Sequence, residues 1–323
     1  MMPINTPSLS PITSPASTPN SPPSSSQACF PDRPTLDTAI SSGLYSPHPT
    51  YGDITSWCFA PTLTDFSSLF SAETLTHNIN GWDVSNVVDM SYLFSAATYS
   101  GSLESWNVAK VTTMEGIFYS LSGYNEDLTS WNTASVRNME QAFAWNYVFN
   151  GNLNNWNVAA VTTFRNMFNG ATDFQQDLNN WDVSSAQNMG YMFDGTVYNF
   201  DLSNWNVARV TEMDGMFHQN TLLNSNFQNW DVSKVANFDF MFDGCTLFTG
   251  DIISGWDVSS ATSMQLMFRE ASSFNQDLCA WGTHLGSSVD VGGMFFDATS
   301  CPSQSDPNLS ASPKGPLCYV CTP

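Results

Sequence analysis

The sequence has few basic residues and no long apolar run. Lys and Arg number 8 among 323 residues against 29 Asp and Glu, so the formal net charge is −21. That charge repels phosphate backbones, which excludes nucleic-acid binding and disfavours contact with anionic membrane surfaces. No stretch of 18 apolar residues occurs, so no transmembrane segment is expected. We expect free cations to screen the repulsion, as they do outside cells.

Recognisable catalytic patterns are also missing. The histidines His48, His77, His218 and His284 are scattered along the chain. The sequence contains no metal-spaced histidine pair, no nucleophile elbow and no phosphate-binding glycine loop. We therefore predict a protein that is not an enzyme and has no cofactor. Because some pectin-degrading enzymes are solenoids, a carbohydrate-active enzyme remains a minor alternative.

The N-terminal segment is unlike the rest of the chain. Residues 1–28 are Ser, Thr or Pro at 18 positions, a composition that cannot bury a core. Two interpretations stay open, a stalk carrying O-linked sugars and a disordered tail without a role. The first residues, Met1 to Asn5, lack the basic and apolar regions of a signal peptide. For a secreted protein, we would expect either a fragment or a start upstream of Met1.

Tryptophan recurs at a nearly constant interval. Ten tryptophans are spaced by 24 to 26 residues, and only Trp145 falls outside the series. The ten are Trp57, Trp82, Trp106, Trp131, Trp156, Trp181, Trp205, Trp230, Trp256 and Trp281. Such regular self-similarity predicts an α/β repeat solenoid of about ten coils, each containing 24–26 residues.

Each repeat begins with an alternating pattern. In the copy of Trp181, the apolar residues Trp181 and Val183 are separated by Asp182 and followed by Ser184. Period 2 predicts a short parallel strand with Trp and Val facing the core. Asp182 and Ser184 are then expected to face solvent.

The second half of each repeat has a different period. Val210, Met213, Met216 and Phe217 are spaced by three, three and one residues, which predicts a short helix. Phe occurs at the position of Phe217 in eight internal copies, so a column of Phe rings is expected inside the stack. The eight are Phe94, Phe118, Phe143, Phe168, Phe193, Phe217, Phe242 and Phe268.

The repeat resembles a known family. The text Leu-x-x-Trp-Asp-Val-Ser-x-Val parallels the leucine-rich-repeat pattern, and residues 271–278, Ala-Ser-Ser-Phe-Asn-Gln-Asp-Leu, are its cleanest continuation. Over residues 50–300 the chain resembles the BspA-like leucine-rich-repeat surface proteins of bacteria and unicellular algae. The segments 51–57 and 277–282 are similar to the ends of the algal members. The resemblance implies a right-handed leucine-rich-repeat-like stack, a secreted or cell-surface location, an adhesion-like role and no catalytic residues.

The cysteines concentrate at the two ends of the repeats. Six of seven lie there, which predicts disulfide-stapled caps in an oxidising compartment. We predict a cap with a short helix over residues 29–50, repeats over 51–300 and a C-terminal cap over 301–323. Cys29 is expected to pair with Cys58, and Cys245 to be a buried free thiol. Three pairings are open for the last four cysteines, of which Cys279–Cys301 with Cys318–Cys321 is favoured.

One polar column faces outward next to the tryptophans. Each member is either Asp, with Ser two residues later, or Asn, with Ala two residues later. Its members are Asp83, Asn107, Asn132, Asn157, Asp182, Asn206, Asp231 and Asp257. A Ser hydroxyl that donates to Asp would explain the correlation, and so would duplication of two kinds of repeat in blocks.

Two further patterns suggest sites for a cation and for a sugar. Asp127, Asp177, Asp201 and Asp277 recur before a Leu and are weak calcium candidates, although capping of backbone N–H groups is favoured. Asn308 begins the Asn-Leu-Ser acceptor for N-glycosylation.

The sequence therefore favours a secreted or cell-surface recognition module whose long face binds a protein or glycan partner. A structural component of a wall or matrix, held by lateral contacts and cations, is the main alternative. An ice-binding array is disfavoured, because the Thr row is interrupted by Arg137, Gln187 and Ala236.

Overall fold

The structure is a computed structural model, and it describes residues 28–43 and 47–322. The interpretations of residues 1–27 as a stalk or a tail lie outside the described residues.

A single α-helix precedes the repeats. Helix α1, Arg33–Ser41, begins at Asp32, whose carboxylate accepts a hydrogen bond of 2.9 Å from the Thr35 N–H. Pro34 lies in its first turn, where a missing N–H costs nothing. The helix buries Leu36, Ala39 and Ile40, whose spacing places them on one side of it. The predicted cap helix is therefore confirmed.

The repeats stack through isolated backbone bridges. Nine parallel bridges join equivalent residues of ten successive copies. The bridged residues are Asp65, Asp89, Thr113, Asn138, Thr163, Asn188, Glu212, Asn237, Ser263 and Asp290. Apart from α1, the described helices are three 3-10 helices, Ile54–Ser56, Ile253–Gly255 and Cys279–Thr283.

After each bridge, successive backbone N–H groups donate alternately to a carbonyl of the next copy and to a carbonyl of their own copy. The Tyr191 N–H donates to the Asp214 carbonyl at 2.8 Å, and the Phe193 N–H donates to the Met216 carbonyl at 2.9 Å. Between them, the Met192 N–H donates to the carbonyl of Met189, three residues earlier, at 3.3 Å. Both kinds of bond recur from copy to copy, so this segment satisfies its own backbone and joins neighbouring copies.

This hydrogen-bond pattern depends on two left-handed residues in every copy, one just before and one just after the Met and Phe columns. Tyr191, with φ of 55°, and Gly195, with φ of 63°, hold the two positions in one copy. Their N–H groups donate to the next copy. A left-handed conformation costs about 1–2 kcal/mol for a residue with a Cβ, and the inter-copy bonds offset that cost.

The predicted strand and helix of each repeat are therefore wrong for the described residues. The Trp181 N–H donates to the Leu178 carbonyl, and the Asp182 side chain takes the Ser184 N–H, so the Trp-Asp-Val segment makes no ladder with its neighbours. Downstream, a left-handed residue interrupts any right-handed helix, and turns replace it. The predicted directions of the side chains nevertheless agree with the structure, since Trp181 and Val183 are buried and Asp182 is exposed.

Aromatic columns fill the interior. The Phe rings of adjacent copies lie 5.3 to 6.0 Å apart between centroids, from Phe70 to Phe295. The ten repeat tryptophans are also buried. The indole N–H of Trp181 donates to the Leu153 carbonyl of the preceding copy at 3.2 Å, and seven other tryptophans make the equivalent bond. Each of these eight tryptophans therefore both fills the core and joins two copies.

Disulfides close both ends. Cys29 pairs with Cys58, as predicted, and Cys245 is free and buried. At the other end the favoured pairing is wrong, because the structure contains Cys279–Cys321 and Cys301–Cys318. The reason is that the tail folds back over the last copy, where the Leu278 N–H donates to the Leu317 carbonyl at 3.3 Å.

Candidate functional site

Two surfaces present repeated polar side chains. We call the column from Asp83 to Asp257 the Asx face. All eight members are exposed, and each side-chain oxygen accepts the backbone N–H two residues later, at 3.0 to 3.2 Å. An Asp or Asn here is thus a local cap that fixes its own direction.

The Asp members of the Asx face also interact with the serines that follow them. Hydrogen bonds from the side chain and backbone of Ser184 lower the pKa of Asp182. The pKa values of Asp231 and Asp257 are lowered in the same way by Ser233 and Ser259. The serine N–H donates to the carboxylate in each of these pairs at 3.0 to 3.1 Å, as the Ala N–H does to Asn107, so both explanations of the Asp–Ser correlation stay open.

The weak calcium candidates have a similar local role. Asp127, Asp177, Asp201 and Asp277 are exposed, and each accepts the N–H two residues later, at 2.8 to 2.9 Å. This is the capping role that the sequence favoured. Within residues 28–43 and 47–322, no group of three or more His, Cys, Asp or Glu is arranged to hold a metal ion.

The second surface, which we call the turn face, flanks the Met and Phe columns. Its charged and aromatic members in the central copies are Arg165, Tyr191, Asp194, Asp214, His218, Phe240, Asp243 and Arg269. These residues come from five consecutive copies, and sequence reasoning did not identify them. Superimposing the repeats in register could have found them, because Asn169, Asp194, His218, Asp243 and Arg269 all directly follow the Phe column.

A ladder of hydrogen bonds joins that column. His218 contacts Asp194 at 2.8 Å through Nδ1 and Asp243 at 3.4 Å through Nε2. Asn169 donates to Asp194 at 2.9 Å, and Arg269 Nε donates to the fully buried Asp243 at 2.9 Å. Hydrogen bonds to the two aspartates raise the pKa of His218 to about 9. The imidazole is therefore charged at neutral pH, and opposite charges alternate along the ladder.

A second ion pair spans two copies. Arg165 binds Asp214 through two hydrogen bonds of 3.0 Å, and its guanidinium lies 5.3 Å from the centre of the Tyr191 ring. The intervening copy has Gly190, where a methyl group would come within 2.4 Å of Arg165 Nη1. The glycine therefore makes room for the arginine to cross. Because these acids and bases bind one another, the arrangement suits the holding of copies in register better than proton transfer.

The remaining features concern location and modification. Asn308 is exposed and its side chain accepts the Ser310 N–H at 3.0 Å, so the glycosylation acceptor lies on the surface. None of the helices in the described ranges has the length and apolar character required to cross a bilayer.

A family model described as "Mycoplasma protein of unknown function, DUF285" matches the chain in four overlapping segments. They are residues 48–145, 96–200, 129–221 and 196–307. The overlap follows the internal repetition, and together the matches cover most of the chain. No curated protein and no solved structure matches it.

Proposed function

Since the chain belongs to the DUF285 family, we propose that it is a non-enzymatic recognition module of the BspA-like type. In this proposal the ten copies form one right-handed, leucine-rich-repeat-like solenoid, displayed on a cell surface or secreted. Its long outer face binds a protein or a glycan.

The cysteines support the extracellular location. Three disulfides tie the two ends of the stack, and such bonds persist in oxidising compartments. The ends are also where stacked repeats would otherwise expose their core. A net charge of −21 suits a medium rich in free cations.

The observation that carries the recognition role is the pre-set Asx face. Eight exposed side chains are each fixed by a hydrogen bond to their own backbone, in the same conformation from copy to copy. Side chains that are already ordered lose little entropy when a partner binds. A row of them therefore offers a long polar surface at a low cost of association.

Array binding with matched variants tests this proposal. The full chain is applied to glycan and protein arrays beside a variant in which Asp182, Asp231 and Asp257 are replaced by Ala. A control variant carries Asn at the same three positions, because Asn107 makes the same turn in the natural chain. We expect binding to a restricted set of ligands, weakened by Ala more than by Asn.

Two results would contradict the proposal. Binding that is unchanged in the Ala variant would remove the Asx face from recognition. An absence of array binding, together with cation-dependent lateral assembly in light scattering, would favour the structural wall or matrix component instead.

A further inference from the structure

Trp145 is the tryptophan that the repeat does not explain. The ten repeat tryptophans expose 5% of their surface or less, whereas Trp145 exposes 43%. It lies in the copy of Trp131, on the turn that follows the Phe column. Its indole contributes little to the core, so stability does not account for it.

The backbone at this position disfavours a bulky residue. Every copy is left-handed here, and three copies place glycine at the position: Gly170, Gly195 and Gly244. Trp145 has φ of 59°, a conformation that costs energy for a side chain with a Cβ. Since the left-handed backbone recurs at this position in every copy, the unusual feature is the large aromatic side chain that it carries here.

The indole lies flat on the next copy. A methyl group at Gly170 would come within 2.7 Å of Trp145 Cε3, so the six-membered ring covers that glycine. One copy further, a methyl group at Gly195 would meet only Gly170 Cα, at 4.0 Å. Gln219 holds the equivalent position in the copy after Gly195. Its side chain lies over Gly244 and so points away from Gly195. The surface over Gly195 is therefore uncovered, and it forms an open step, one copy wide, next to the Trp145 ring.

Other departures from the repeat occupy the same turn. Tyr147 exposes 55% of its surface, and its ring centre lies 6.3 Å from that of Trp145 at an angle of 67°. Equivalent positions in the adjoining copies hold the small residues Ser122 and Thr172. Asn146 is 1% exposed, and neither the oxygen nor the nitrogen of its side-chain amide has a hydrogen-bond partner. Residues 145–147 thus combine exposed aromatic surface and an unsatisfied buried side-chain amide, neither of which favours folding.

Polar groups border the open step. Asp194 precedes Gly195 and is held by Asn169 and His218, and its side chain keeps 20% of its surface exposed. Since these partners are themselves fixed in the ladder, the carboxylate is a pre-oriented acceptor beside the aromatic surface.

We propose that Trp145, Tyr147 and the step at Gly195 bind a neutral carbohydrate chain. The face of a pyranose ring carries C–H groups that pack on the electron-rich face of an exposed indole, while its hydroxyls donate to fixed carboxylates. A net charge of −21 disfavours anionic sugars. The aromatic surface comes from one turn, far below the roughly 800 Å² per partner of a stable protein interface, so a glycan fits it better than a protein.

The proposal rests on the recognition role but uses a different surface from the Asx face. Isothermal titration measures binding of the full chain to neutral hexasaccharides, namely cellohexaose, laminarihexaose, mannohexaose and chitohexaose. The test variants are Trp145→Gly, which suits the left-handed backbone, and Tyr147→Thr, which copies Thr172. Phe296→Ala is the matched control, because Phe296 is an exposed aromatic residue, 56% accessible, in the last copy.

We expect the natural chain and the Phe296 variant to bind at least one hexasaccharide equally well. The Trp145 variant should lose at least about tenfold in affinity with an unchanged melting temperature. The proposal is overturned if no hexasaccharide binds, or if the Trp145 variant binds within about twofold of the natural chain. A dimer that only the Trp145 variant lacks would instead assign the patch to a second copy. Array ligands that the Trp145 variant retains would leave the recognition role standing on the Asx face.

Discussion

Two classes of tryptophan in one chain separate the demands of stability from those of binding. The ten repeat tryptophans are buried, and eight of them join successive copies through their indole N–H groups. Trp145 is half-exposed, holds a left-handed backbone and lies over a glycine. A tryptophan at the repeat position therefore stabilises the packing of the copies. A tryptophan outside that position is explained instead by the surface that it exposes to solvent.

Replacing a tryptophan of the first class should give the largest effect. We expect Trp181→Ala to lower the free energy of unfolding by about 3–5 kcal/mol, because it leaves a cavity and removes the indole hydrogen bond to the Leu153 carbonyl. Chemical denaturation measures the loss, and Trp145→Gly, with a change below about 0.5 kcal/mol, is the control. A loss under about 1 kcal/mol for Trp181→Ala would contradict a stabilising role of the repeat tryptophans.

Much of the interior could be predicted from the sequence. The alternation of apolar and polar residues in the Trp-Asp-Val segment correctly predicted which side chains are buried. The constant repeat length correctly predicted the column of Phe rings. The cap helix was recognisable because Leu36, Ala39 and Ile40 fall on one side of a helix. These features depend on local composition, which the sequence states directly.

Other features depend on contacts between copies and left weaker signals. The left-handed positions hold Tyr191, Phe240 and Leu266 as well as glycine, so propensity does not reveal them. Apolar residues three and four apart follow from these turns as well as from a helix, which is why the helix prediction failed. The C-terminal disulfides depend on how the tail folds back, and no spacing rule encodes that.

The charged ladder should give an intermediate effect that depends on pH. The pKa of His218 is about 9 in the folded protein, above its ordinary value of 6.5. Its contribution to stability is therefore complete below pH 6.5 and is lost as the pH rises through about 9. We expect a loss of about 2 kcal/mol between about pH 6 and pH 9.5, measured by denaturation at each pH.

A His218→Gln variant supplies the control for this titration. It keeps a hydrogen-bonding side chain between Asp194 and Asp243 but cannot be charged, so its stability should be low and flat across the same window. The upper limit stays below pH 10, because Tyr92 and Tyr99, whose pKa values are raised to about 12, add their own destabilisation above that pH. If stability fell in parallel with pH in the natural chain and in the variant, a stabilising charge on His218 would be contradicted.

The Asx face should give a smaller effect. Asp182→Ala removes the acceptor for the Ser184 N–H and is expected to cost about 1 kcal/mol of stability. Asp182→Asn keeps the turn, as Asn157 does in the preceding copy, and should cost less than about 0.5 kcal/mol. Thermal melts of the two variants measure the difference, and equal losses would show that charge, not the turn, is what matters.

Acrylamide quenching of tryptophan fluorescence tests the difference between the two classes most directly. With Trp145 at 43% exposure and the ten others at 5% or less, the folded chain should contain one quenchable component and a large protected one. The Trp145→Gly variant should lose the quenchable component and keep the protected one. A quenchable component that survives this substitution, or quenching spread over many tryptophans in the natural chain, would contradict the buried, stacked tryptophan column on which the account rests.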